Sequence, residues 1–155
     1  MISRRQTREY LLQTLYARVN LSPFDRDIFY GAYFLDEFSL SLDMNYLNTM
    51  ESHIFANETK LIGLISLLAP RFDLETIPVI HTLILIIALT EMIYWEGEAI
   101  PPSVSINEAI ELSKRFSDEQ GKTFINGSLS TFLKDREALI LKTVPSEFRI
   151  FPSPT

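Results

Sequence analysis

The stretch SINEAIELSKRFSDEQGKTFING, residues 105–127, decides the fold class of this chain. Its apolar residues recur at helical spacing, which predicts two short helices joined by one polar turn. Ser117 and Gln120 are spaced as in a capping box, so we expect Ser117 to cap the second helix. Phe124 and Lys122 fall outside the apolar stripe of that helix. An aromatic ring and a cation turned away from a core are candidates for contact with a partner.

Helical patterns cover most of the remaining chain, and no strand-like alternation of useful length occurs. Ser3 and Gln6 form a capping box for the first helix, and Thr76 could cap the helix that follows it, with Pro78 in its first turn. The predicted helices have approximate bounds of 3–19, 22–38, 44–68 with a break near Asn57, 77–95, 105–116 and 117–133. The sequence therefore predicts an all-α fold.

The segment 77–95 is apolar nearly all round. A membrane span needs about 20 apolar residues and usually has cationic anchors on one flank. This segment contains Glu91, and its nearest flanking charges, Glu75, Glu96 and Glu98, are all acidic. We therefore expect a central helix surrounded by the other helices, and no association with a membrane.

Composition predicts one compact domain. The chain has 155 residues, 46% of them apolar, with eleven Phe and six Tyr, which is enough to bury a core and argues against disorder. The absence of cysteine excludes disulfides and Cys-ligated zinc. No secretory signal pattern is present, so we expect a cytoplasmic location. Residues 1–143 form the predicted domain, and residues 144–155 form a Pro-containing tail that is either loosely ordered or docked in an extended form.

The net charge of −6 is unevenly distributed along the chain. Residues 1–20 carry four cations and one anion, and residues 112–155 carry seven cations and five anions. The segment 21–111 carries three cations and fourteen anions. One face could therefore hold phosphates while another meets a basic protein, although ordinary solvated helix faces would give the same asymmetry.

The sequence contains no recognisable catalytic machinery. Its only histidines, His53 and His81, lie on different predicted helices without carboxylates at ligand spacing. Nucleophile elbows, phosphate-binding glycine loops and zinc-protease motifs are all missing. We therefore expect no enzyme activity, no metal and no cofactor.

RNA binding, in contrast, has candidate residues. Three arginines lie in the first turns of the first helix, and guanidinium groups suit both phosphates and base stacking. Single-stranded RNA is usually held by such cations together with aromatic platforms. The candidate RNA-binding residues are Arg4, Arg5, Arg8, Gln13, Tyr16, Lys122 and Phe124. Tyr16 also shares a stripe with Leu12 and could instead belong to the core, whereas Asn126 and Gly127 are expected to serve close helix packing.

These residues carry a family resemblance. The pattern INEAIELSKRF at 106–116, a short acidic turn and FING at 124–127 resemble the bacterial transcription antitermination factor NusB. The Arg-rich start RRQTRE at 4–9, followed by LQTLYA at 12–17, is similar to the first helix of that family, and ALTEM at 88–92 is a weaker match. The resemblance implies a compact bundle of about seven helices in two small subdomains around a central apolar helix.

The resemblance also implies a function. It implies a non-catalytic factor in the RNA polymerase antitermination complex, which holds the single-stranded boxA element of ribosomal RNA leaders through the seven residues named above. The second implied partner is a basic small-subunit ribosomal protein, NusE. The implied protein-partner interface comprises His81, Glu91, Asp118, Glu119 and Gln120. His81 and Thr82 replace an acidic residue and an arginine common in the family, Ile86 replaces another arginine, and Gln120 replaces a frequent aspartate.

Two alternatives stay open at this point. The same fold occurs as the amino-terminal RNA-binding domain of ribosomal RNA cytosine methyltransferases, although this sequence ends at Thr155 without a cofactor-binding domain. The chain could also be a helical protein-interaction scaffold, or a homodimer, whose acidic surface binds a basic protein and whose arginines are only solvated.

Overall fold

The computed structural model describes residues 2–20, 24–25, 29 and 42–152, and these residues form seven α-helices and no strand. The helices are α1 (Arg4–Asn20), α2 (Met44–Ala56), α3 (Glu58–Leu68), α4 (Val79–Tyr94), α5 (Pro102–Phe116), α6 (Glu119–Lys134) and α7 (Arg136–Lys142). A short 3-10 turn spans Leu74–Thr76. The predicted all-α fold class is confirmed, while most of the helix predicted at 22–38 lies outside the described residues.

The apolar helix α4 is the centre of the bundle, as its composition predicts. It packs against α1, α2, α3, α5 and α6. Every residue from Thr82 to Met92 is buried, because neighbouring helices cover all sides of it. Within the described part of the chain, no helix has the length and apolar character that crossing a membrane requires.

Local sequence signals predict the cap of α1 and the break between α2 and α3, but not the start of α4. The Ser3 hydroxyl accepts a hydrogen bond from the Gln6 amide at 3.2 Å, as a helix cap does. Asn57 separates α2 from α3 at the predicted break. Thr76, in contrast, does not cap α4, because it lies in the 3-10 turn and its hydroxyl donates to the Asp73 carbonyl.

The turn between α5 and α6 corrects the predicted cap of α6. Asp118 caps this helix, since its carboxylate accepts the Gly121 amide at 2.8 Å. Ser117 cannot serve as the cap because its hydroxyl bonds the ring of His81, with 2.5 Å between Oγ and Nε2. The turn is therefore tied to the first turn of α4 by a contact that the spacing of a capping box cannot reveal.

Two glycines of α6 have opposite environments. A methyl group on Gly121 would overlap the Ser117 hydroxyl and the His81 ring, so it would displace both side chains and their hydrogen bond. A methyl group on Gly127 would meet nothing within 4 Å, and both Asn126 and Gly127 are exposed. The expected packing role of Asn126 and Gly127 is therefore wrong.

The tail is docked on the bundle as far as Phe151. Phe151 is 6% exposed, and its ring contacts the ring of Phe55 near the end of α2. The Ser146 amide donates to the Thr59 carbonyl in the first turn of α3 at 2.9 Å. Of the two expected states of the tail, the docked one is observed.

We predict that Gly121→Ala lowers the free energy of unfolding by about 1–3 kcal/mol, because the added methyl group forces Ser117 and His81 apart. Urea unfolding followed by circular dichroism at 222 nm measures the change. The matched control is Gly127→Ala, which should raise stability by about 0.5–1 kcal/mol, since alanine favours the helix and meets no neighbour. Equal effects of the two substitutions would contradict the packing described here.

Candidate nucleic-acid interface

Arg8 lies inside the bundle, where it forms a two-pronged ion pair with Glu91 of α4. The Nε and Nη2 atoms of Arg8 lie 2.6 and 3.0 Å from the two carboxylate oxygens. The hydroxyls of Tyr46 and Ser105 donate to the same carboxylate. Arg8 is 4% exposed and Glu91 5% exposed. The assignments of Arg8 to RNA and of Glu91 to a protein partner are therefore corrected, because both side chains join helices in the interior.

The environment keeps Arg8 charged and the Tyr46 hydroxyl protonated. Burial acts to lower the pKa of Arg8, but the hydrogen bond and charge of Glu91 outweigh that effect and raise the pKa above its ordinary value. Burial, and next the charge of Glu91, raise the pKa of Tyr46 well above its usual range. Arg8 therefore stays a cation, and the Tyr46 hydroxyl stays a donor.

Arg4 holds the start of α1 on α2. Its Nη2 atom lies 3.1 Å from the carboxylate of Asp43, which also caps α2 by accepting the Tyr46 amide. The guanidinium lies over the rings of Tyr46 and Trp95, 4.7 and 5.3 Å from their centroids. About a third of the Arg4 side chain is exposed. Its first role is thus to position α1, and only its remaining edge can face a ligand.

Two cations bridge α1 and α5 at the surface. Arg5 pairs with Glu108 at 3.0 Å, and its side chain is 56% exposed. The hydrogen bond and charge of Glu108 raise the pKa of Arg5, so it remains charged. Arg115, 63% exposed, lies 3.5 Å from the carboxylate of Glu9. Arg115 is absent from the sequence-based candidates, although it belongs to the SKRF motif that ends α5.

Gln13 and Tyr16 line a shallow apolar depression between α1, the start of α4 and the end of α5. Its volume is about 550 Å³, and Ile80 and Phe116 contribute to the opposite wall. Tyr16 is 43% exposed and therefore lies on the surface and not in the core. The amide oxygen of Gln13 has no hydrogen-bond partner within the described part of the chain. The depression thus offers the ring face of Tyr16, whereas the amide oxygen of Gln13 is buried beside it.

Phe124 is half-buried in a second depression, which we call the aromatic groove. Its ring meets Phe72 edge-on at 5.6 Å between centroids and lies 6.2 Å from the ring of His81. The groove has a volume of about 200 Å³ and is lined by Phe72, Thr76, Ile77, Pro78, His81, Gln120 and Phe124. One groove therefore contains residues that the sequence assigns to RNA and to a protein partner. Phe72, 53% exposed, is a member that the sequence analysis missed.

Lys122 does not share a platform with Phe124. At 100° per residue, side chains two positions apart on a helix point to opposite flanks. Lys122 lies beside Glu119, with 3.9 Å between the ammonium and the carboxylate, whereas Phe124 faces the connector before α4. Lys122 and Phe124, both candidates for RNA binding, therefore do not form one surface on α6.

The two depressions are neighbours, because residues that are adjacent in the sequence lie beside one and then the other. Ile80 and Phe116 line the first, and the residues that follow them, His81 and Ser117, bond each other beside the aromatic groove. Arg5 lies farther away: its partner Glu108 precedes Phe116 by two turns of α5, which is about 12 Å at 1.5 Å per residue. The candidate surface therefore runs from the bridging cations across the α1 depression to the groove.

Electrostatics differ at the groove end of this surface. Burial lowers the pKa of His81, an effect that the charge of Asp118 partly offsets, so the ring is neutral at physiological pH. Exposed carboxylates flank the groove; they are Asp73, Glu75, Asp118 and Glu119, which we call the acidic rim. Across the described residues, no cluster of three or more metal-ligating side chains could hold a metal ion. The groove end suits a basic partner, and the α1–α5 end suits an anionic one.

Comparison with known proteins agrees with this arrangement. Residues 5–134 match the model of the NusB family. A protein of Methylacidiphilum infernorum named transcription antitermination protein NusB is 33% identical over 140 residues, covering 87% of this chain and 93% of the relative. Proteins of the same name from Clostridium perfringens strain 13 and Salinibacter ruber are 34% and 32% identical, and the matches cover 100% and 83% of their lengths.

We predict that Arg8→Met lowers the free energy of unfolding by about 3–5 kcal/mol, because it leaves the Glu91 carboxylate buried without its cation. Urea unfolding measures this loss. The control is Arg5→Met, which removes the same charge from an exposed pair one turn earlier and should leave the unfolding midpoint nearly unchanged. Similar sensitivity at both positions would contradict the buried network.

Proposed function

Because this chain belongs to the NusB family, we propose that it is a non-catalytic transcription antitermination factor of the cytoplasm. It binds a boxA-type single-stranded element of ribosomal RNA leaders together with a small-subunit ribosomal protein, NusE, as part of an RNA polymerase antitermination complex. The single observation that carries the proposal is the continuous candidate surface, in which exposed cations at one end are followed by partly exposed aromatic rings.

The RNA contacts follow from the chemistry of this surface. Arg5 and Arg115 are exposed cations that can exchange their carboxylate partners for phosphate oxygens. Tyr16 and the exposed part of Phe124 offer ring faces on which unpaired bases can stack, and the amide nitrogen of Gln13 is the group of that side chain left to donate to a base edge, since its oxygen is buried. In this proposal Arg4 and Arg8 act indirectly, by holding α1 in place, and Lys122 lies at the margin.

The protein partner follows from the other end of the surface. The aromatic groove supplies an apolar depression in which a side chain can be buried, with His81 and Gln120 in its lining. Asp118 and Glu119 belong to the acidic rim beside it. A basic ribosomal protein complements such a rim, which speeds encounter and selects orientation. The proposed partner interface is therefore His81, Asp118, Glu119 and Gln120, without the buried Glu91.

We predict that the double substitution Arg5→Gln with Arg115→Gln weakens binding of a boxA-type RNA. Each lost phosphate contact should reduce the slope of log affinity against log salt by about one, because fewer counterions are released. Fluorescence anisotropy of a labelled single-stranded RNA, titrated at several salt concentrations, measures both quantities. The control, Lys60→Gln with Lys142→Gln, removes the same charge from residues of α3 and α7. Equal losses in the two double variants would reject this surface.

A second prediction concerns the ribosomal protein. Asp118→Asn with Glu119→Gln should slow association with purified NusE, and the difference should shrink as salt screens the charges. Asparagine preserves the helix cap at position 118, so the fold is retained. Stopped-flow fluorescence measures the association rate, with Glu137→Gln plus Glu147→Gln as the charge-matched control. An unchanged rate at low salt, or an equal effect in the control, would reject the acidic rim as the docking site.

A further inference from the structure

The tail of the chain crosses the joint between α2 and α3. These helices are connected by Asn57 alone, whose backbone leaves the helical conformation with φ −124° and ψ 17° and whose side chain does not cap α3. A single-residue joint has two soft dihedral angles, so the angle between the two helices depends on contacts outside the joint. Packing of both helices on α4 supplies some of these contacts, and the tail supplies others. The tail contacts both sides of the joint.

Glu58, the first residue of α3, is the main attachment point. Its carboxylate is almost fully buried, with 3% of the side chain exposed. One oxygen accepts two hydrogen bonds from the Arg149 guanidinium, at 2.7 and 3.2 Å. The other accepts the backbone amides of Ile150 and Phe151, at 3.0 and 3.1 Å. All four bonds to this buried carboxylate come from the tail, so the tail supplies the compensation that a buried charge requires.

Further contacts fix the tail on either side of the joint. On the α2 side, the rings of Phe151 and Phe55 meet edge-on at 5.2 Å. On the α3 side, the carbonyl oxygen of Val144 approaches Gly63 so closely that a methyl group there would lie 2.1 Å from it. The backbone of the tail can therefore pack this closely against α3 only because Gly63 has no side chain.

The position of α2 matters for α1. Asp43, the cap of α2, bonds Arg4 of α1, and Tyr46 of α2 bonds Glu91 of α4, so a change in the direction of α2 displaces the contacts that hold α1. The family model ends at residue 134, which leaves the tail outside the matched part of the chain. A role for the tail is thus additional to what the family match describes.

We propose that residues 146–151 act as a splint, which fixes the angle between α2 and α3 and through it the position of the candidate RNA surface on α1. Glu58 is the attachment point of the splint, and Phe151 is the wedge against α2. The link to RNA rests on the proposed function, whereas the splint itself is a property of the fold.

Hydrogen exchange on the full chain, measured by NMR, tests the splint with Glu58→Gln. Loss of the charge-assisted bonds should speed exchange of the Ile150 and Phe151 amides about tenfold or more. The Asn57 and Leu61 amides, whose hydrogen bonds adjoin the joint, should speed up by a similar factor. If the tail amides are released while Asn57 and Leu61 keep their protection, the splint is rejected.

A second variant and a control complete the test. Phe151→Ala keeps the Glu58 carboxylate and should give the same pattern of exchange. It provides the test if Glu58→Gln fails to fold. Glu147→Gln changes the charge of the tail at an exposed position and should leave all these amides as they are. If neither Glu58→Gln nor Phe151→Ala releases the tail amides, the proposed attachment is wrong.

RNA affinity separates the splint from the proposed function. If the unaltered chain binds a boxA-type RNA, Phe151→Ala should lower the affinity about three- to tenfold while Glu147→Gln does not. Equal affinity with a loosened joint would overturn the link between the tail and α1. If the unaltered chain does not bind the RNA, the proposed function fails, and the exchange data still decide whether the splint exists.

Discussion

The buried ion pair between Arg8 and Glu91 is the interaction on which the arrangement of the helices depends. Two charges removed from water are tolerated only when their hydrogen bonds are complete. Here Tyr46 and Ser105 complete those of the carboxylate, so residues of α1, α2, α4 and α5 meet at one point. Because a displaced helix would leave a buried charge unpaired, this network fixes the position of α1 on the central helix.

Because of the same constraint, three arginines that look alike in the sequence have different roles. Arg4 and Arg8 are one helical turn apart and face α2 and α4. There they form ion pairs with Asp43 and Glu91, respectively. Arg5 is rotated by about 100° from Arg4 and reaches the surface beside α5. An Arg-rich helix is therefore not a uniform anion-binding face. The cation that accompanies Arg5 at the surface is Arg115, which is far away in the sequence and comes from another helix.

Features that depend on residues close in the sequence are predicted correctly, whereas features that depend on contacts between distant residues are not. Helices α1 to α6, the break at Asn57 and the central position of α4 follow from patterns within a few turns, and they are confirmed. The cap of α6 was mispredicted because His81, from another helix, takes the hydroxyl of Ser117. The same kind of distant contact places Phe124 beside His81 in one groove, although the sequence assigns them to different partners.

The sequence by itself determined the helical character of the chain, the family and the residue types available for phosphates and bases, because periodicity and motif order are local properties. Tertiary structure alone decided which of those residues reach the surface. Burial depends on the residues that meet a side chain across helices, so Arg8 and Glu91 neutralise each other inside while Arg5 and Arg115 remain outside. It also decided that the tail spans the α2–α3 joint, since the attraction between Glu58 and Arg149 acts between residues distant in the sequence.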